Sequence, residues 1–457
     1  MKKIYLLFTL LVIGVADLLH AQTTIPIFDN VLFFDGYATR VDTPPAPAGV
    51  IRQRNDLYSV KLTDQQLGQI GTSLRMNVTI KASCDNYDRI GNVNLAFVPK
   101  GDTTYHPDSV RRIEIARYIT PFMNKNLMPD TVPYTYDIAN VAHLLKETSI
   151  TTDFDIWVEL QVFGVPYAAN NEVAGCAGRN DVFYGSLDFV TNGTLTPESN
   201  NVLMPLNFQK ELNNYTAGAS DSVGLTRRTI TFNVDQDLTD AVFVLITSNH
   251  GANSGGEEYN RRQHFAYFDG NEVLTYKPGR TSCEPFRVYN TQGNGIYGPS
   301  PRTNAQWQSF SNWCPGDVID TRIIPLGPVT SGSHTFVINV PSAQFVGQQG
   351  YFPVSLYLQG KTSGNVPVPV SIKRTDESSN LEVYPNPAQS QLTIKTEGTK
   401  DPKATINIKN ILGQTVLVTK APETENIINI SHLPAGMYTL VYESQKGNKY
   451  KKVLITK

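Results

Sequence analysis

From residue 22 onward, apolar and polar residues alternate in short runs that end at Gly, Pro, Asn or Asp. A period of two belongs to a half-buried strand, whose successive side chains point to opposite faces. The pattern predicts strands over 76–81, 92–98 and 154–163 in a first half, residues 22–185. It predicts further strands over 229–234, 241–247, 263–268 and 335–340 in a second half, residues 186–360. One short helix is expected around 138–147, where apolar residues recur at three- and four-residue spacing. Many short strands divided by turn residues argue for antiparallel sandwiches rather than βαβ units. Two sandwiches in tandem fit the length, and residues 22–62 are read either as an extension of the first or as an extra module.

Both ends of the chain break this pattern. Lys2 and Lys3 precede an apolar run from Tyr5 to Val15, followed by the small residues Ala16 and Ala21. That is the layout of a secretory signal peptide over residues 1–21. The apolar run is about half the roughly 20 residues a membrane span needs. No later segment is apolar for longer, so no transmembrane span is expected once the signal is removed. Residues 361–380 are polar at both ends and contain Pro367 and Pro369, which favour extended chain without ladder hydrogen bonds. They read as a linker to a third, smaller β-domain over 381–457, poorer in aromatics and richer in lysine.

Charge and cysteine content narrow the function. The 39 Lys and Arg against 41 Asp and Glu give a net charge of -2, which offers no electrostatic footprint for nucleic acid or anionic lipid. Cys84, Cys176, Cys283 and Cys314 belong to an exported chain and are expected to form disulfides. Four cysteines allow three pairings. Cys283 with Cys314 is preferred because it closes a loop rich in Gly, Pro, Asn and Ser, leaving Cys84 with Cys176. No two are close enough for a C-x-x-C zinc knuckle.

The chain contains no G-x-S-x-G, H-E-x-x-H or G-x-x-x-x-G-K-[ST] motif. His106, His143, His250, His264 and His334 are too widely spaced for a local metal motif. Candidate chemistry therefore rests with carboxylates and aromatics. Asp88 lies in the turn-forming run Cys84-Asp85-Asn86-Tyr87-Asp88-Arg89, just ahead of a predicted strand. In strand 154–163, alternation places Asp155, Trp157, Glu159, Gln161 and Phe163 together on one face. An acid flanked by an aromatic and an amide resembles the wall of a sugar-binding cleft, although an ordinary solvent face has the same pattern. Glu258 follows a glycine-rich loop and stands beside Glu257, Tyr259, Arg261 and Arg262.

Taken together, these segments resemble the peptide-N-glycosidase F family. The run from Cys84 to Arg89, then Glu114-Ile115-Ala116-Arg117-Tyr118-Ile119-Thr120-Pro121, Ile156-Trp157-Val158-Glu159 and Asp181-Val182-Phe183-Tyr184-Gly185, is similar in order to its N-terminal domain. Gly255-Gly256-Glu257-Glu258-Tyr259 and Trp313-Cys314-Pro315-Gly316 resemble its C-terminal domain. The resemblance implies an all-β fold of two jelly-roll sandwiches with the active site between them. It also implies hydrolysis of the amide joining asparagine to the innermost N-acetylglucosamine of an N-glycoprotein or glycopeptide, without metal or cofactor. It places the catalytic aspartate on Asp88 and two supporting glutamates on Glu159 and Glu258, and matches Cys283 and Cys314 to a family disulfide. Substrate-binding positions are expected at Tyr87, Arg89, Trp157, Gln161, His250, Tyr259 and Trp313, with Arg89 keeping Asp88 charged or oriented. Tyr87, Gln161 and Tyr259 stand where the family has tryptophans, and Gly256 and Asn260 stand where it has a short disulfide. Two other readings remain: a non-catalytic glycan-binding surface protein, and a glycosidase cleaving between sugars, which needs two carboxylates about 5–5.5 or 6.5–9.5 Å apart. A copper monooxygenase is disfavoured, since no H-x-H pair is present.

The third domain carries Leu381-Glu382-Val383-Tyr384-Pro385-Asn386-Pro387, Ile411-Leu412-Gly413-Gln414, Leu433-Pro434-Ala435-Gly436-Met437-Tyr438 and a basic-apolar end from Lys451 to Lys457. It resembles the C-terminal sorting domain of the type IX secretion system of Gram-negative bacteria. That implies handling by the type IX machinery, export through the outer membrane, and a secreted or surface-attached product.

Overall fold

A computed structural model describes residues 22–292, 303–308, 311–362, 381–396, 401–409, 415–444 and 447–456. The signal segment, linker residues 363–380 and the run Ile411 to Gln414 lie outside the described residues. The chain forms two compact units, divided near Ser371.

In the larger unit the first sandwich uses β1 (Thr23–Phe34), β2 (Val50–Arg54), β3 (Leu57–Lys61), β4 (Ser73–Ala82), β5 (Ile90–Pro99), β6 (Arg111–Ile119), β7 (Thr131–Asp137), β8 (Phe154–Val162) and β9 (Asp181–Asn192). The second uses β10 (Asn201–Leu212), β11 (Arg227–Val234), β12 (Leu238–Thr247), β13 (His264–Phe268), β14 (Asn271–Tyr276), β15 (Val318–Ile319), β16 (Thr321–Val329), β17 (Gly332–Asn339) and β18 (Phe352–Thr362). The sheet orders are β1-β9-β4-β7 with β15-β6-β5-β8-β3-β2, and β10-β18-β12-β16 with β11-β17-β13-β14. Setting aside β2 and β15, each half pairs its first strand with its eighth and its second with its seventh, the wrapping of a jelly roll. The expected strands and the short helix (Ala139–Leu145) are all present.

Residues 22–62 are integral to the first sandwich, because β1 pairs with β9 and β3 pairs with β8. The boundary expected after residue 185 falls inside β9, which stays hydrogen-bonded to β1 and β4 as far as Asn192. Likewise, Lys361 and Thr362 belong to β18 rather than to a linker.

Alternation explains strands such as β4 and β7 but not β5, β6, β8 or β18. In β4, buried and more exposed positions alternate, as one face meets the core. In β8, nearly every residue is buried, so both faces are covered. On β8 the second cover is Tyr105, which packs on Trp157 and bonds Glu159, together with Arg112, while the other sandwich covers β6. β15, a strand of the second half, pairs with β6 and extends the first domain's sheet. Beside it, Arg117 is wholly buried and forks onto Glu114, with both nitrogen–oxygen contacts at 2.7 Å. The same guanidinium donates across the domain boundary to Ser248 Oγ at 2.9 Å and to the Pro353 carbonyl at 2.8 Å. Ser355 Oγ donates back to Glu114. A planar fork with several fixed donors suits such a site, where an unpaired charge would be costly.

Both expected disulfides form, Cys283–Cys314 and Cys84–Cys176. The smaller unit stacks one sheet of Leu381–Tyr384, Gln391–Thr396 and Glu425–Asn429 against another of Thr405–Lys409, Thr415–Lys420, Gly436–Ser444 and Gly447–Ile455. Leu392, Ile394, Ile406, Leu440 and Val453 fill its core, giving the small β-sandwich expected from the sequence.

Candidate active site

Asp88 sits at the end of the loop that leads from β4 into β5. The loop is organised by Asp85, a fully covered carboxylate that accepts from the backbone N–H of Tyr87 at 2.9 Å, closing an Asx turn. It also accepts from the N–H of Val165 and from Arg89 Nε, each at 2.6 Å. Thr120 Oγ1 accepts from the Arg89 N–H and donates to the Tyr87 carbonyl. At the start of the loop, the Cys84–Cys176 disulfide ties it to the segment before β9. Arg89 thus grips Asp85, which fixes its guanidinium in the loop beside Asp88. Its cation still lies close enough to feel the Asp88 charge.

Glu258 comes from the second sandwich, in the loop between β12 and β13. This loop folds tightly: a Cβ on Gly256 would lie 2.0 Å from the Gly251 carbonyl oxygen, so only glycine fits there. Asn260 Nδ2 donates to the carbonyls of Gly255 at 3.0 Å and Gly256 at 2.8 Å. These bonds close the turn at the positions where the resemblance implies a disulfide. Glu257, fully covered, forks onto Arg262 and accepts from the Gln344 N–H.

The two domains bring Asp88 and Glu258 together. Glu258 is only 7% exposed, and its pKa is pushed up to about 8, first by burial and then by the negative charge of Asp88. Hydrogen bonds that the carboxylate accepts from the Gly251 backbone N–H and from Tyr259 oppose that rise without cancelling it. At neutral pH Glu258 therefore keeps its proton beside Asp88. The sign of the stability effect follows. A carboxyl whose folded pKa is raised stabilises the fold fully below its unfolded value of 4.5, and that contribution is lost as pH rises toward about 8. Glu258→Gln should thus match the parent in acid and become more stable than it by ~3 kcal/mol near pH 7. Paired melts at pH 4 and pH 7 test this, and equal gains at both would contradict it.

Trp313 and His250 close the other side. The Trp313 indole N–H points to Asp88 Oδ2 at 3.5 Å, and its ring packs on His250 with centroids 4.8 Å apart. His250 Nε2 bonds Ser248 Oγ at 2.7 Å, the hydroxyl that receives Arg117. Burial and then the Arg117 charge push the His250 pKa down to about 3, so the ring is neutral.

Glu159 lies elsewhere on the face. It pairs across strands with Asn94, four residues into β5 from Ile90, about 13 Å of extended chain. Its carboxylate accepts from Tyr105 OH at 2.8 Å, Asn94 Nδ2 at 3.1 Å and Arg112 Nη1 at 3.3 Å, and it is fully covered. Asp88, and not Glu159, is among the groups that shift Glu258. The open cleft wall expected for this face is therefore absent. Trp157, beside it, is 3% exposed and packs edge-on to Tyr105, and Trp313 is 5% exposed, so neither offers a free ring face. Gln161 is half-buried and donates to Asp56 at 2.7 Å. Tyr87 and Tyr259 are half-buried. Tyr167, which the sequence did not single out, is 62% exposed with its ring 6.3 Å from Tyr87, and forms an aromatic shelf beside the Asp88 loop.

Two family descriptions match the chain in order: peptide-N-glycosidase F, N terminal, over residues 24–177, and peptide-N-glycosidase F, C terminal, over residues 220–359. The chain belongs to the peptide-N-glycosidase F family. Residues 382–456 match a secretion system C-terminal sorting domain. That tail marks the product for type IX export to the cell surface or the extracellular space. No helix among the described residues is long and apolar enough to cross a membrane.

Among solved structures, PNGF-II in one crystal form has a TM-score of 0.54 at 20% identity, covering 75% of this chain and 66% of that one. The chain thus spans just under two thirds of PNGF-II, and at this identity the likeness is one of fold. PNGase F, a glycosylasparaginase from Flavobacterium meningosepticum, gives a TM-score of 0.46 at 16% identity, covering 75% of this chain and 97% of that one. No curated protein matches the sequence.

Proposed function

We propose that this member of the peptide-N-glycosidase F family is an exported amidase that cleaves the bond between asparagine and the innermost N-acetylglucosamine of N-glycopeptides or N-glycoproteins. The observation that carries the reading is the carboxyl pair contributed by two domains, in which Glu258 holds a proton beside Asp88. Amide hydrolysis needs an activated water, stabilisation of the tetrahedral centre and a proton for the leaving nitrogen. Two carboxyls crowded in one site cannot both ionise cheaply, so the pair supplies one basic and one acidic partner at the same pH. In this reading Asp88 engages the scissile linkage and Glu258 positions the water and supplies the proton. Water adds to the side-chain carbonyl, the carbon–nitrogen bond breaks, and the glycosylamine departs, leaving aspartate.

Glu159 then takes a supporting part. Its three hydrogen bonds lock Tyr105 and Arg112 against β8, which holds the sheet that carries the Asp88 loop. Sugar rings would rest on Tyr87 and Tyr167, the aromatic surfaces left accessible beside Asp88.

The test is mass spectrometry of a defined N-glycopeptide after incubation with the protein. Conversion of the glycosylated Asn to Asp is expected. A product retaining one sugar would identify a glycosidase instead, and glycan binding without conversion would identify a lectin-like protein. Because Glu258 loses its proton near pH 8, release should also fall as pH rises through that value. A rate that keeps climbing to pH 10 would remove Glu258 from the proton-donating role.

A further inference from the structure

Asn312 is nearly fully buried, at 4% exposure, and immediately precedes Trp313. Its amide nitrogen donates to the carbonyls of Glu257 at 2.6 Å and Glu258 at 2.7 Å, and more loosely to that of Asn260 at 3.4 Å. Its backbone N–H donates to the same Glu258 carbonyl at 3.1 Å. The neighbouring indole reaches Asp88. One dipeptide thus holds the main chain of Glu258 and the side chain of Asp88, although the two acids come from different sandwiches.

Beyond the Asn260 turn and the Glu257 contacts with Arg262 and Gln344, these bonds are what tie the Glu258 main chain to the segment that reaches Asp88. Neither disulfide lies within residues 251–260, and the segment has no strand ladder of its own. Removing the Asn312 amide would take the shorter bond from each of the Glu257 and Glu258 carbonyls, leaving only the longer ones from the Asn260 and Asn312 N–H groups at 3.3 and 3.1 Å, a loss that favours movement of the loop toward water. Reacting groups misplaced by about 1 Å commonly lose about 10²-fold in rate.

We propose that Asn312 is the positioning residue that clamps the Glu258 loop against Asp88. The kinetic part of this assignment rests on the amidase reading, whereas the geometric part does not. The groups facing the Glu258 carboxyl are Asp88 from the β4–β5 loop and the Tyr259 hydroxyl from its own loop. Arg89 stands behind Asp88. If the clamp opens, Glu258 gains water and moves away from the Asp88 charge, and its carboxyl ionises at lower pH.

Two readouts test the clamp in the full-length protein. Asn312→Ala should lower kcat on a defined N-glycopeptide by ~10²-fold, with KM changed by no more than a few-fold. Infrared titration of the protonated Glu258 carbonyl, assigned by its disappearance in Glu258→Gln, should shift to lower pH in the same variant. Should the alanine variant fail to fold, Asn312→Ser, which keeps one donor, is read by the same two criteria. An unmoved infrared titration, with or without a loss of kcat, overturns the proposal. If the parent protein releases no glycan but the infrared titration still moves, the clamp stands and the amidase reading falls.

Discussion

Asp88→Asn should reduce glycan release from a defined glycopeptide by ~10²–10⁴-fold, the usual contribution of a general acid–base group, while leaving the melting temperature close to that of the parent. The amide fills the carboxylate's volume and can still meet the Trp313 indole side of the site. What it lacks is the charge. That charge is the second cause of the raised Glu258 pKa, so the variant should also ionise Glu258 at lower pH. The chemical and electrostatic losses therefore come together. Retained activity in a well-folded Asp88→Asn protein would remove Asp88 from the reaction and the proposed function with it.

Arg117→Ala should cost ~3–5 kcal/mol of stability, the range for leaving a buried charge without its partner. Three features make the site unforgiving. Arg117 and Glu114 are fully buried, the guanidinium bonds to Ser248 and Pro353 of the other sandwich, and Ser248 in turn holds His250 against Trp313. Loss of the cation strands Glu114 and loosens the contact on which the Asp88–Glu258 approach depends. Activity should therefore fall with stability in this variant, whereas Glu258→Gln should lose activity while gaining stability. Replacing Arg117 and Glu114 together with apolar residues should recover much of the stability, since no unpaired charge remains. Denaturant midpoints at unchanged slope measure both effects. A single-variant loss below about 1 kcal/mol would show that the interface does not rely on this pair.

Much of the fold is legible in the sequence. Alternation located β4, β5, β8, β11 and β12 because one face of each strand must meet a core, and that requirement writes itself into neighbouring residues. Disulfide pairing followed from the loop enclosed by Cys283 and Cys314, with Cys84 and Cys176 left to each other. The same local logic misled at β8. Its polar-looking face carries Asp155, Trp157 and Glu159, yet it is buried, because other chain segments cover it. The boundary inside β9 was missed for a related reason, since nothing in a strand's own residues reports how far its partner extends.

The candidate acids and a site between the two sandwiches are implied by the resemblance, but no periodicity or spacing in the chain shows which of them meet. Sequence alone shows which residues are on hand: an all-β pattern, a sorting tail, four cysteines and three notable carboxylates. Only the tertiary structure decided that Asp88 meets Glu258 while Glu159 lies under Tyr105, that Arg89 serves Asp85, and that Asn312 ties the Glu258 loop down. The reason is physical. Periodicity records the contacts a strand makes with its own sheet and core, whereas ionisation and positioning depend on what a second domain lays against it.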